Sequence, residues 1–134
     1  MDHTTNYRDT FIAVSPDCGA SEGMVPPKPG TVAAMQYERL TAKPYSMTSD
    51  DLLFGIFADR NEIAGKDRAE ARAEFFSKGQ PCMRSSPLVK TYGWGVHHDS
   101  KERVAIYPLD SPKYAELARG KAGTVVAGMR SRRG

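Results

Sequence analysis

Hydrophobic and polar positions change period several times along the chain, and each change predicts an element. Residues 10–14, TFIAV, are short, unbroken and rich in β-formers, which predicts a strand. Pro16, Asp17 and Gly19 end it and open a long loop. Within that loop MVPPKPG, at 24–30, carries three prolines in four residues, which excludes helix and favours extended backbone. Thr31 then stands as an N-cap before VAAMQYERL. Ala33, Tyr37 and Leu40 share one face there, with Val32, Met35 and Gln36 adjoining, so a first helix is predicted over about 31–42, before Pro44.

Thr48 and Asp51 have capping-box spacing, Ser49 competes as a cap, and Asp50 and Asp51 fall where a helix dipole favours anions. Behind them Leu52, Leu53, Ile56 and Phe57 form the apolar stripe of a second helix, interrupted by Gly55. A third helix is predicted from about 66 to 78, with Ala69, Ala73 and Phe76 inward and Arg68, Glu70, Arg72 and Glu74 solvated. Gly79 is its natural stop. Residues 92–99 and 103–109 alternate, which predicts a β-hairpin whose loop is not of the Asn-Gly type. Ser111-Pro112 then opens a helix that ends at Gly120.

The pattern predicts an α+β domain: a small antiparallel sheet, made of the N-terminal strand and the hairpin at about 92–109, covered by three to four helices. No repeat or linker divides it, so residues 1–134 read as one domain, with 121–134 a basic tail.

Composition narrows the classes. Apolar residues make up 40% and charged residues 26% of the 134, which is ordinary for a soluble chain. No run approaches the ~18 apolar residues of a membrane span, and MDHTTNYRDTF lacks a signal-peptide design, so a cytoplasmic protein without membrane contact is expected. The net charge of +3 does not argue for nucleic acid, and the arginines of the tail, Arg130, Arg132 and Arg133, offer only unspecific attraction without a stacking module. Cys18 and Cys82 read as reduced thiols. Cys18, Cys82, His97 and Asp99 include metal-donor types, but no CxxC, HxxxH or HxH spacing gathers them, so neither metal nor cofactor is expected.

Chemistry concentrates in residues 75–99, FFSKGQPCMRSSPLVKTYGWGVHHD. Strand alternation places Tyr92, Trp94, Val96 and His98 on one face and Gly93, Gly95, His97 and Asp99 on the other, so the two histidines point apart. The bare strip at Gly93 and Gly95 is either a ligand floor beside His97 or a seat for a closely packed neighbour. Arg84 with Ser85 and Ser86 suits a carboxylate or phosphate, because a guanidinium fork grips two oxygens. The bland alternative is a surface loop in which Ser86-Pro87 caps a short helix.

Three functional readings follow. The leading one is a binding protein for a small anionic ligand, using Arg84, Ser85, Ser86, Lys90, Trp94 and His97, although Trp94 and His97 belong to opposite faces. The second is an enzyme with His97 or His98 as general acid/base and Cys82 as nucleophile or metal ligand. Cys82 would need Lys78, Arg84 or His97 to lower its thiol pKa, whereas a helix C-terminus just before it works the other way. The third is an interaction protein, or a homodimer formed through an open sheet edge.

TFIAVSPDC, TVAAMQYERL, PYSMTSDDLLF, the block FFSKGQPCMRSSPLVKTYGWGVHHD, VAIYPLDSPKYAEL and the terminal MRSRR together resemble a family of small bacterial proteins classed as a domain of unknown function. The likeness runs from Thr10 to Arg133. It implies a single-domain bacterial protein and carries over no activity, cofactor or catalytic residue.

Overall fold

The computed structural model describes residues 3–131. Among them are four strands and five α-helices in an α+β arrangement. In chain order they are β1 Thr10–Ala13, α1 Val32–Ala42, α2 Ser49–Arg60, α3 Arg68–Phe75, α4 Pro87–Lys90, β2 Trp94–His98, β3 Val104–Pro108, α5 Pro112–Ala118 and β4 Thr124–Ala127. The sheet order is β3-β2-β1-β4. β2 and β3 form the antiparallel hairpin, with Val96 opposite Ile106, and β1 lies antiparallel to β2, with Ile12 opposite Val96.

The sheet is mixed rather than wholly antiparallel, because β4 runs parallel to β1 with Ile12 opposite Val126. The four residues of β4 fall within the stretch that reads as a basic tail. A four-residue run of three β-formers and an alanine between glycines is too short for its pattern to declare a strand, and only the partner strand reveals it. Arg132 and Arg133 of that tail lie outside the described residues.

Caps set most helix boundaries. Thr31 Oγ1 accepts from Ala34 N at 3.2 Å and starts α1. Thr48 and Asp51 exchange both bonds of a capping box at 3.1 and 3.2 Å, and a threonine cap of this kind stabilises a helix by about 1 kcal/mol. Ser86-Pro87 and Ser111-Pro112 start α4 and α5. The third helix departs from its predicted span: a 3-10 turn at Gly65–Asp67 precedes α3, which ends at Phe75. Its inner face is also rotated. Ala71, Phe75 and Phe76 pack with Phe54 and Ala58, while Ala69 and Ala73 are exposed. Two adjacent phenylalanines bury more area than two alanines and dictate the rotation.

The two sheet faces carry different layers. Ile12, Val96, Val104 and Ile106 meet Leu40, Leu52, Ile56, Met83, Leu88 and Val89 from α1, α2, α4 and the turn before α4. On the other face Phe11 packs with Tyr114 and Leu117 of α5. Gly95 makes that second layer possible: a Cβ there would lie 2.3 Å from Phe11 Cζ and 2.7 Å from Tyr114 Cε2. The bare strip beside His97 is therefore filled by side chains at Gly95, and Gly93 (φ +78°) is closed by the Glu22 carbonyl.

The Pro-rich loop is tied down where Trp94 Nε1 donates to the Met24 carbonyl (2.9 Å) and Met24 N donates to Tyr92 O (2.8 Å). Both sheet edges are partly blunted. Val104 on β3 exchanges bonds with Tyr45 and Met47, and at β4 the Ala127 carbonyl accepts from Arg84 Nε at 2.7 Å. No helix among the described residues is long and apolar enough to cross a membrane.

Candidate functional site

A cavity of about 510 Å³, open to solvent, lies between α1, α2, the end of α3 and the segment 80–87. Leu53, Ile56, Phe57 and Arg60 line it from one face of α2, at helical spacings of three and four. Val32 and Gln36 line it from α1, and Phe75 from the end of α3. The fourth wall is built by turn chemistry. Gln80 Nε2 donates to the Phe75 carbonyl (2.7 Å), Pro81 and Pro87 fix φ, and a 3-10 turn at Met83–Ser85 presents Cys82, Ser85 and Ser86.

Polar contacts in the cavity are few and definite. Ser86 Oγ accepts from Leu88 N (3.1 Å) and donates to Gln36 Oε1 at 2.5 Å, a length that fits O–H···O and sets the orientation of the amide. Gln36 is only 2% exposed. Its Nε2 has no hydrogen-bond partner among the described residues. Cys82 Sγ lies 3.3 Å from the Tyr7 hydroxyl, whose pKa is raised by burial and by the thiol. Arg60 is the lining's one formal charge, and it makes no ion pair among the described residues.

The structure brings Cys82, Ser85 and Ser86 to this cavity and leaves the other candidate residues elsewhere. Arg84 does not line the cavity: Nε donates to Ala127 O, its own carbonyl accepts from Met129 N at 2.7 Å, and its guanidinium lies near Tyr7, pulling that phenol's pKa down against burial and the thiol. Lys90 ends α4 and does not line the cavity. Trp94 packs edge-on against Tyr37 beneath the Pro-rich loop. His98 is wholly buried on the helix-covered face beside Tyr7. His97 lies on the opposite face. Cys82 therefore has a tyrosine, not a histidine, as its hydrogen-bonding neighbour. No group of three or more His, Cys, Asp or Glu side chains among the described residues is placed to hold a metal ion.

With this geometry in view, the comparison with known families is decisive on kinship. The model of a family of unknown function, DUF6157, matches residues 2–134. The chain belongs to that family. Comparison with curated proteins and with solved structures found no match.

A second polar cluster of this DUF6157 chain sits on the α5 side of the sheet. The Tyr45 hydroxyl lies 2.7 Å from His97 Nδ1 and 2.8 Å from the Tyr107 hydroxyl. Burial, then the Tyr107 bond, raise the Tyr45 pKa, and burial lowers that of His97. The lowered His97 pKa favours a neutral imidazole, which meets the Tyr45 hydroxyl through Nδ1 as acceptor in one tautomer and as donor in the other. Tyr45 adopts φ +56°, unusual for a bulky residue, and its amide bond to Val104 O (2.9 Å) holds it there.

Pattern reasoning missed Gln36, Leu53, Phe57 and Arg60 as lining residues. One signal was present for Gln36: it stands at i+4 from Val32 and i−4 from Leu40, a polar residue in an apolar register.

Proposed function

We propose that this protein binds a small, largely apolar organic molecule in the cavity between α1, α2 and residues 80–87. The observation that carries the reading is the cavity itself. Its volume of about 510 Å³ falls in the range of small-molecule sites, roughly 300–1,000 Å³, and an apolar wall of Val32, Leu53, Ile56, Phe57 and Phe75 faces a rim of amides, hydroxyls, a thiol and one guanidinium. Ser85 and Ser86 keep the place that the anion-binding reading gave them. Arg60 takes the part of its cation, because Arg84 is engaged with β4.

Cys82 provides the assay. In a Cys18→Ser background, alkylation of Cys82 reports access to the cavity, and an uncharged apolar probe such as N-phenyl-1-naphthylamine should slow it and raise Tm. Leu53→Trp, which fills the space from α2, should abolish both effects while the far-ultraviolet circular dichroism stays native. Equal probe binding by the native-folded Leu53→Trp protein would sink the proposal.

A further inference from the structure

We infer that the cavity selects a monocarboxylate, an apolar body ending in one ionised acid group, with the carboxylate held by the Gln36 amide nitrogen and the Ser85 hydroxyl. This rests on the proposal that the cavity is a binding site, and it adds which head group the site reads.

The inference starts from hydrogen-bond accounting. Among the side chains of the described residues only the His98 ring nitrogens are enclosed without a partner, so an unpaired side-chain nitrogen elsewhere, such as that of Gln36, is one that solvent or a ligand can reach. Gln36 is 2% exposed, and its oxygen is satisfied by Ser86. Its nitrogen carries two N–H groups, neither with a partner among the described residues, on a side chain that lines the cavity. The length of the Ser86 bond removes the alternative orientation, because 2.5 Å fits a hydroxyl donating to the amide oxygen and is too short for an amide N–H donating to the hydroxyl. The inner wall of the cavity thus offers donors. Ser85, one residue before Ser86, adds a hydroxyl that no described side chain or backbone group engages. Two acceptors are spent inside, Gln36 Oε1 on Ser86 and the Phe75 carbonyl on Gln80, whereas the amide oxygens of Asn61 and Gln80, also in the lining, accept no bond from the described residues, so charge has to decide between an acid and an amine.

Charge then separates an acid from a neutral carbonyl compound. No carboxylate among the described residues lines the cavity, so no formal negative charge there repels an anion or attracts a cation. Asp59, next to Arg60 in sequence but on another face of α2, pairs with Arg39 and Arg68, and no carboxylate among the described residues pairs with Arg60. Arg60 is left as an unpaired guanidinium in the lining, a favourable potential for an anion, partly offset by the carbonyls at the C-terminal end of α2. The apolar body has its own surface in Val32, Leu53, Ile56, Phe57 and Phe75.

The test uses the full chain and four probes of one length: octanoate, octanamide, 1-octanol and octylamine, titrated at pH 7 and followed by calorimetry and by protection of Cys82 from alkylation. Octanoate should bind at least about 10-fold more tightly than the other three. Gln36→Glu keeps an acceptor for Ser86 but replaces the two N–H groups with a charged oxygen. It should weaken octanoate by about 10–100-fold and favour octylamine. Should Gln36→Glu fail to fold, Ser85→Ala and Arg60→Gln stand in for it. Each should cost octanoate several-fold, and Arg60→Gln should also remove most of the salt dependence. Equal binding of all four probes, or octanoate binding unchanged in these variants, would overturn the carboxylate inference and leave the cavity as an unselective apolar site. If no probe binds or protects Cys82, the binding reading itself fails, and this inference with it.

Discussion

His98 should make this protein lose stability in mild acid before its carboxylates begin to titrate. The imidazole is fully buried, with Tyr7 edge-on at 5.2 Å, and neither ring nitrogen has a hydrogen-bond partner among the described residues. Burial drives its pKa from the ordinary 6.5 down to about 4. The Val96 and Thr10 carbonyls and Asp99 pull the other way, and His97 adds to the depression. The unfolded chain therefore binds a proton at His98 below pH 6.5, while the folded chain resists until about pH 4. Since the unfolded state binds more protons across that window, stability falls as pH falls, by about 1.4 kcal/mol per unit and roughly 3 kcal/mol in all. That is a large share of the roughly 5–15 kcal/mol typical of a domain. Urea unfolding at half-unit intervals from pH 7.5 to 4 measures it, and His98→Leu and His98→Phe supply the comparison, the latter keeping an aromatic edge for Tyr7. Both variants should be neutral to stabilising by about 1–3 kcal/mol at pH 7, because two orphaned polar atoms disappear. The difference between wild-type and variant curves isolates His98, since carboxyls such as Asp59, held low by Arg68 and Arg39, contribute to all three proteins. A wild-type minus variant difference that stays flat from pH 7 to 4.5 would refute the reasoning. So would an imidazole resonance of His98 that titrates near 6.5.

Arg84→Ala should detach β4 locally, raising amide exchange at Thr124–Ala127 by about 10-fold while β2 and β3 stay protected, because Arg84 Nε holds the Ala127 carbonyl. Gly95→Ala should cost about 1–3 kcal/mol by urea unfolding, since the new methyl group meets Phe11 at 2.3 Å, and Phe11→Leu should return part of that loss in the double variant. Thr48→Ala should cost about 1 kcal/mol and fray the first turn of α2, and Thr48→Ser should restore it. Tyr45→Phe removes the hydroxyl between His97 Nδ1 and Tyr107; a measurable change in the His97 titration by NMR, with His98 unaffected, is the expected outcome.

Most of the fold was legible because its elements announce themselves within a few residues. Thr31, the Thr48/Asp51 pair, Ser86-Pro87 and Ser111-Pro112 mark four helix starts by local hydrogen-bond chemistry, and the structure uses each of them. The hairpin was legible from alternation. Its loop was less so, because it closes through Asp99 Oδ1, which accepts from the amides of Lys101 and Arg103 at 2.8 Å, and through Glu102 at φ +65°. What escaped depends on partners distant in sequence. β4 becomes a strand only because β1 lies beside it, 114 positions earlier at Thr10–Thr124. The face of α3 is chosen by Phe54, which local periodicity within 66–78 does not contain.

The candidate site follows the same logic at a finer scale. Residues 82–86 drew attention because they mix a thiol, a guanidinium and hydroxyls, but composition cannot say which of these turn inward. By type Arg84 is the best anion-binding candidate, yet it stays out of the cavity lining, because the backbone of β4 offers a carbonyl that its Nε satisfies at 2.7 Å. Gln36 drew none, since a glutamine on a helix is usually solvated. Its significance appears only when Ser86, fifty residues later, takes its oxygen and leaves its nitrogen facing a cavity. A functional group is therefore defined here less by its residue type than by what its neighbours have not satisfied. Unspent hydrogen-bonding capacity on a buried side chain is a property of the folded chain alone, and the Gln36→Glu titration measures it directly.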